Sequence, residues 1–429
     1  RELHAKGASV VVLEARDRVG GRTLSREAGA ATVDLGAQWL GPTQHRMRAL
    51  VDELGIATFP TFHKGRKILR VGDKTSTYSG SIPKLSPLNL ALLQRTISSV
   101  DRRARRIDAH QPWLSADAAA LDSQTLESWK RRQIPSRTVR EVFDVAARVV
   151  FGAEPAELSL LYFLYYVRSA GGLMDLIEIE RGAQETRFVD GAQQVAVRLA
   201  GPLGDRVITA APVRSIRQSK GGCEVEVTGR EAVHAKRVIV AVPPALCGRI
   251  GFEPALPGLR DELTQRMPMG ATIKAHLLYE HAFWRRRGLS GEAVVTGGPV
   301  SAFFDNTSHD GAQPGLLGFV VGAAARELGA LSPEQRRARV IAAAVDCFST
   351  EAASPVAYVD KDWSADPWSR GCPTANLPPG VLTVHGSVLR EPVGRVHWAG
   401  TETATRWAGY MEGAVASGER AALEVLELL

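Results

Sequence analysis

Leu13-Glu14-Ala15-Arg16-Asp17-Arg18-Val19-Gly20-Gly21-Arg22-Thr23 is the stretch that decides how this chain is read. An apolar run ends on an acid, and a diglycine followed by an arginine comes soon after. A carboxylate at a strand end can bind ribose hydroxyls. Glycines let the backbone approach a pyrophosphate, which an arginine can meet with its charge. On the amino-terminal side, Arg1–Gly7 reads as the last turns of a helix with Gly7 at the C-terminal cap. Ala8–Glu14 then reads as a buried, β-branched strand. Helix followed by strand is the second half of a βαβ unit, in which the acid follows a GxGxxG turn by about 20 residues. Counting back from Glu14 runs past Arg1, so the first strand and glycine loop are expected to lie upstream.

The chain of 429 residues is 45% apolar and 6% aromatic, enough for two packed regions of ordinary globular character. Its 53 Lys plus Arg against 46 Asp plus Glu give a net charge of +7. The basic runs Arg102–Arg106, Lys130–Arg132 and Arg285–Arg287 are short and scattered, so they read as solvated faces and no nucleic-acid partner is expected. Cys223, Cys247, Cys347 and Cys372 stand far apart without a CxxC pair or a His cluster. Neither a zinc site nor a disulfide framework is expected, and a reducing, cytoplasmic setting fits. No apolar stretch approaches the roughly 20 residues of a membrane span, and the charged opening is not a signal peptide, so no membrane anchor is expected.

Composition turns polar and Pro/Ser-rich from about residue 60 to 95, then becomes helical in period through residue 180. Short strands follow, among them Cys223–Val227 and a buried Arg237–Val242 closed by Pro243-Pro244. Strands alternate with an amphipathic helix from Met267 to Val359. Near the end, Val396–Gly400 reads as a strand, Thr401–Thr405 as a small-residue turn, and Tyr410-Met411-Glu412-Gly413-Ala414-Val415 as the opening of a long helix. Such a helix N-terminus offers unpaired N–H groups and about half a positive charge to an electron-rich ligand edge.

The strings LEARDRVGGRT at residues 13–23 and AGTETATRWAGYMEGAVASGERAA at residues 399–422 resemble the FAD-containing amine oxidases, and within them the bacterial, soluble monoamine oxidase type. The resemblance runs from Leu13 to Ala422. It implies a mixed α/β fold in which a Rossmann-like FAD-binding domain (residues 1–59, 189–263 and 366–429) interleaves with a substrate domain of mixed sheet plus helices (residues 60–188 and 264–365). The cofactor it implies is FAD. The positions it assigns to that cofactor are Glu14, Arg16, Gly20, Gly21, Arg22, Thr23, Gly36, Ala37, Gln38, Trp39, Val213, Cys372, Gly400, Thr401, Glu402, Gly409 and Met411.

Cys372 matches the cysteine that carries the flavin through a thioether in monoamine oxidases, although its flanks Arg370 and Pro373 depart from the pattern. Lys274, after Met267-Pro268-Met269-Gly270-Ala271-Thr272-Ile273, matches a lysine that holds a water at flavin N5. Tyr410 matches one wall of an aromatic cage, whose other wall is replaced here by Pro373, with Trp407 as a compensating or merely packing ring. Trp363 completes the catalytic set with Lys274 and Tyr410. The substrate cavity falls on Val149, Tyr166, Ile177, Gln184, Ala302 and Pro373, and Ala302 in place of a bulky gate implies a roomier pocket.

The implied reaction is oxidation of a primary or secondary amine. A hydride equivalent leaves the α-carbon, the imine hydrolyses to an aldehyde, and dioxygen becomes hydrogen peroxide. A diamine or polyamine oxidase would need an acid for the distal ammonium, with Asp175 and Glu178 as candidates. An L-amino acid oxidase would want an arginine where Gly41-Pro42-Thr43-Gln44 follows the amine-oxidase pattern. A non-catalytic or fragmentary flavin fold is the reading from another class. A homodimer is left open.

Overall fold

The structure, a computed structural model, describes residues 1–80, 83 and 85–429. The elements that place the site are, in chain order, β1 (Val12–Leu13), β2 (Arg66–Val71), β3 (Lys74–Tyr78), α1 (Arg137–Phe151), α2 (Leu160–Ala170), α3 (Leu173–Ile177), β4 (Val207–Ile208) and β5 (Val238–Val240). They continue with β6 (Thr272–Leu278), β7 (Leu289–Thr296), β8 (Ala302–Asp305), β9 (Gly315–Val321), α4 (Pro333–Cys347), β10 (Ala357–Asp362), β11 (Val396–Trp398) and α5 (Met411–Leu426).

A seven-stranded sheet in the order β10-β6-β9-β8-β7-β2-β3 forms the largest layer. All its pairs are antiparallel except β7 with β2. Alternate residues of a strand point to opposite faces, so each strand feeds two environments. Ile273, Ala275 and Leu277 of β6, Val320 of β9, Phe303 of β8 and Ala293 and Val295 of β7 share one core with Val340, Ala343, Ala344 and Cys347 of α4. The other face carries a single cross-strand row in which Leu69, Val294, Ala302, Phe319 and Lys274 stand opposite one another in turn. That face is covered by Trp39 and Val149, which pack with Phe319.

Above it lies a helical layer. The α1 helix starts at Ser136, whose hydroxyl accepts from the Val139 N–H, and stops at left-handed Gly152. Nearly every residue of α2 is buried, as its sequence LLYFLYYVRSA demands. A four-stranded sheet of Val213–Ser219, Gly222–Val227, Val233–Ala235 and Gly251–Glu253, and a three-stranded one of Trp39–Leu40, Thr58–Pro60 and Thr186–Phe188, complete the larger sheets.

The chain opens on a short helix, Glu2–Ala5, and Gly7 has φ +81°, as the sequence predicts. The following strand differs from expectation. Only Val12–Leu13 pair, in parallel with β4, and Val11 and Val12 are 45% and 38% exposed, because β1 has a partner on one side alone. The expected buried strand Arg237–Val242 is likewise shorter. Residues 238–240 pair in parallel with β11, only Val240 is buried, and Val242 is exposed. The polar stretch after residue 60 contains the hairpin β2–β3, which polar composition hid.

Candidate active site

The turn after β1 is built as a cradle. Gly20 and Gly21 have φ +106° and +55°, which side chains resist. A Cβ on Gly20 would strike the Thr23 carbonyl and hydroxyl oxygens. Thr23 closes the turn through its N–H and hydroxyl, both donating to the Gly20 carbonyl at 2.9 and 2.7 Å. Arg18, which sequence reasoning did not single out, donates to the carbonyls of Gly21 and Thr23 at 2.9 and 3.2 Å. Glu14 accepts from the Arg16 N–H at 2.9 Å, and the Arg16 guanidinium reaches Asp366 and Ser369 at 2.9 and 2.6 Å. Val213 lies in the same core cluster as Leu13.

Arg22 and Glu402 form a bidentate pair at 2.6 and 3.0 Å. Burial disfavours both charges, yet the mutual attraction outweighs it. Arg22 is held above its ordinary range and the Glu402 carboxyl below it. The pair ties the diglycine turn to the Cys372–Ala375 segment, since Arg22 also donates to the Pro373 carbonyl at 2.7 Å and the Ala375 N–H donates to Glu402 at 3.2 Å. Gly36 lies so close to the Arg22 carbonyl that no side chain fits there, and the Ala37 N–H donates to that same carbonyl at 3.1 Å.

Lys274 is almost fully buried, and its Nζ donates to the Gly36 carbonyl at 2.7 Å and to Gln38 Oε1 at 2.5 Å. Burial brings its pKa down to about 7, against the pull of Asp34. The contact with Gln38 is one link of a longer chain. Gln38 Nε2 donates to Asn306 Oδ1 at 3.1 Å, Asn306 Nδ2 meets His276 Nδ1 at 3.0 Å, and His276 Nε2 meets the Asp34 carbonyl at 2.9 Å. A carbonyl can only accept, so His276 carries its proton on Nε2 and accepts at Nδ1, which fixes every later donor. Burial, with Lys274 adding to it, holds His276 well below its usual range, as a neutral ring requires. The alternation Lys274-x-His276 on a strand was the available sequence signal for this residue; Asn306 had none.

Tyr410 caps α5 at its N-terminus without a side-chain hydrogen bond, so the first N–H groups of that helix point into the site uncapped. Thr401 Oγ1 donates to the Tyr410 carbonyl at 2.8 Å, and Met411 packs beside the residues 40–56 core. Tyr166 lies 6.2 Å from the Tyr410 ring, and its hydroxyl occupies the space a Cβ on Gly409 (φ +83°) would need. Trp407 packs edge-on against Tyr410 at 4.9 Å and has φ +50°, a strained value for so bulky a residue. It is fully buried. Trp363 is fully buried too, and its indole N–H is spent on the Leu35 carbonyl at 2.8 Å, under the Gly36 turn.

Tyr410 Oη and Gln184 Nε2 both donate to the Leu176 carbonyl, at 3.3 and 2.9 Å, which brings Ile177 to the same place. Of the two acids flanking Ile177, Asp175 faces Asp101, which with burial raises its carboxyl. Glu178 faces Lys67 and Glu292. The Cys372 thiol is pushed up to about 11 by burial, against Arg22 and Lys274.

Several buried polar atoms in this region have no partner. They are Arg16 Nε, Trp39 Nε1, both side-chain polar atoms of Gln44 and Gln184 Oε1. Buried polar groups are rarely left unsatisfied, so orphans gathered around uncapped helix N–H groups and a glycine cradle fit a ligand with anionic and carbonyl groups. Among the described residues no cluster of His, Cys, Asp and Glu could hold a metal, and no helix is long and apolar enough to cross a membrane.

A family model described as flavin containing amine oxidoreductase matches residues 1–426, and the chain belongs to that family. The flavin-containing amine oxidase of Oncorhynchus mykiss is 40% identical over 429 residues, covering 99% of this chain and 82% of that protein. Cyclohexylamine oxidase from Brevibacterium oxydans superposes with a TM-score of 0.95 at 34% identity, covering 100% of this chain and 95% of that one. A wild-type putrescine oxidase bound to putrescine gives 0.95 at 32% identity, with coverages of 99% and 95%. The chain is therefore a flavin-dependent amine oxidase, FAD is its cofactor, and the mixed α/β architecture expected from sequence is the family's.

Proposed function

We propose that this enzyme oxidises primary or secondary amines with an apolar body to imines, which water converts to aldehydes, while dioxygen becomes hydrogen peroxide. The observation that carries this reading is the buried Lys274 ammonium site against Gly36 and Gln38, facing the rings of Trp39 and Phe319. The cofactor would be held by Glu14 and Arg16 at its ribose, by the Gly20–Thr23 turn and Arg22 at its phosphates, and by Thr401, Met411 and the α5 N-terminus at its electron-rich ring edge. FAD, when bound, supplies the acceptor for two electrons from the amine and passes them to dioxygen.

The protein's own residues do the rest. A Lys274 that titrates near neutral pH can hold or release a proton at Nζ, and through a water it can serve the oxygen half of the cycle. Tyr410 and the walls at Val149, Tyr166, Ile177, Gln184 and Ala302 exclude water and favour the uncharged amine that reacts. Ala302, in place of a bulkier side chain, leaves room for a larger substrate. Cys372 is the residue that would carry a covalent flavin link, with the site working without one.

A two-domain division at residues 59/60, 188/189, 263/264 and 365/366 is supported by the seven-stranded sheet, whose strands all come from the second set of segments. The four free cysteines support a cytoplasmic setting, and a homodimer remains part of the reading. The test is the visible spectrum of the purified holoenzyme followed by peroxide release with benzylamine, putrescine and leucine side by side. Flavin bands and peroxide from an amine are expected. Turnover of leucine alone would overturn the substrate class.

A further inference from the structure

Arg187 stands on the central strand of the three-stranded sheet, directly opposite Trp39 on one side and Phe59 on the other. Side chains opposite one another share a face of the sheet, and the guanidinium lies 4.9 Å from the Phe59 ring. It is only 6% exposed. It donates to the Thr307 carbonyl at 2.8 Å and, more weakly, to the Asn306 carbonyl at 3.5 Å, while its Nε is buried and makes no hydrogen bond. The acids that act on it are engaged elsewhere. Asp305 holds Arg285 at 2.7 and 2.8 Å, and Asp34 accepts from the Ser25 hydroxyl and the Ala192 N–H at 2.6 and 2.9 Å. Burial pushes Arg187 down to about 10, with Asp34 and Asp305 opposing the fall and Arg285 adding to it, so it stays charged at neutral pH. A cation buried without an ion-pair partner costs free energy that two carbonyls only partly offset, and a methionine of similar length would carry no such cost.

Asn306 joins this cation to the active site. Its backbone carbonyl faces Arg187, its side-chain oxygen takes Gln38 Nε2, and Gln38 Oε1 in turn takes the Lys274 ammonium. Trp39, the neighbour of Arg187 across the sheet, presents its ring to the same ammonium at 5.8 Å. Two buried positive charges thus flank the Asn306 and Gln38 amides. Like charges held away from water favour loss of one of them, and a lysine gives up its proton far more readily than an arginine. Of the other groups that act on Lys274, Asp34 favours the charged amine. The Cys372 thiol, pushed up to about 11, and the His276 ring, held well below its usual range, are both uncharged near neutrality.

We propose that Arg187, held in place by the Thr307 carbonyl, is a positioning residue for the oxygen half of the cycle, whose fixed positive charge biases Lys274 toward giving up its proton. The proposal rests on the oxygen role given to Lys274 above. Arg187 acts only through the lysine. Without it, Lys274 would keep its proton over a wider range of pH.

The test follows stopped-flow reoxidation of the reduced holoenzyme between about pH 5.5 and 9.5. The wild-type rate is expected to inflect at about 7, and the inflection to be absent from Lys274→Met. Arg187→Met and Arg187→Gln are expected to move it up by roughly one pH unit, whereas Arg187→Lys, which keeps the charge, leaves it within about 0.3 unit. An unmoved inflection in both neutral variants overturns the proposal. So does an equal move in Arg187→Lys, which would assign the effect to the hydrogen bonds, or failure of both neutral variants to fold while Arg187→Lys folds normally. A second readout needs no turnover. Urea midpoints of wild-type and Arg187→Met holoenzyme are each compared with the same protein carrying Lys274→Met. The gap at low pH, in favour of the variant without the lysine, is expected to shrink when Arg187 is gone, because less of the penalty on the buried ammonium remains. Equal gaps overturn the proposal. If Lys274→Met keeps the wild-type inflection, the oxygen role of Lys274 has failed, and the urea comparison still decides whether Arg187 acts on the lysine.

Discussion

The two faces of the seven-stranded sheet are made by the same strands and do opposite work. One face offers Ile273, Ala275, Leu277, Phe303, Ala293 and Val295 to α4 as one apolar core. The other, one residue out of step, carries Lys274, His276 and Glu292, three ionisable groups held away from water. Burying apolar surface stabilises a fold, while burying charge or its precursors costs free energy unless partners are supplied. The first face therefore maintains the shape against which the second can hold groups that water would otherwise solvate.

The comparison breaks most visibly at Phe303, which is fully buried on the apolar face. Phe303→Ala is expected to lower stability by about 3–5 kcal/mol, read as a fall in the urea midpoint, through loss of buried surface and the cavity left behind. A loss below about 1 kcal/mol would mean that the face contributes little. Lys274→Met, one row across on the site face, is expected to do the reverse. Folding is unharmed, and stopped-flow traces show the oxygen half-reaction slowed by roughly 10²-fold, more than the amine half-reaction. If only the amine half slows, Lys274 does not serve oxygen.

The same substitution sharpens the comparison through pH. The folded pKa of Lys274, about 7, lies below its ordinary value near 10.5, so between those limits the unfolded chain binds more protons than the folded one. Stability from this group accordingly rises as pH increases from about 7 toward 10.5, and its penalty is full below 7. Urea midpoints of wild type and Lys274→Met are expected to differ most at low pH, in favour of the mutant, and to converge as pH rises. A constant difference would assign the buried amine an ordinary pKa. The smallest effect is expected at Cys372→Ala. Turnover stays within a few-fold, while acid precipitation and mass analysis find no flavin on the protein. Flavin remaining on the Cys372→Ala pellet would point to another attachment site.

Features carried by short contiguous strings were legible in the sequence. Gly20 and Gly21 sit at positive φ and β11 leads through a turn into α5 because each of these is a local pattern with a local physical cause. The hairpin β2–β3 was not legible. Its strands RKILRV and KTSTY are rich in polar residues, and what makes them strands is pairing with distant β7. The Lys67–Glu292 contact follows from that long-range register and has no local signature. The exposure of Val11, Val12 and Val242 was missed for the converse reason: β-branched residues suit a strand, but how far they are buried depends on neighbours the string does not name. Glu178 was picked out and Asp175 with it, yet only the structure separates them, turning one toward a lysine and the other toward Asp101.

The hydrogen-bond chain from Asp34 through His276, Asn306 and Gln38 to Lys274 has a further consequence. Each link admits one polarity, since turning the Gln38 amide would set its carbonyl against that of Asn306 and its NH₂ against the lysine. The chain thus behaves like a sentence with a fixed word order. Residues drawn from three separate segments are inherited as one unit, and a change at any of them must be answered by its neighbours before the lysine is again held in place.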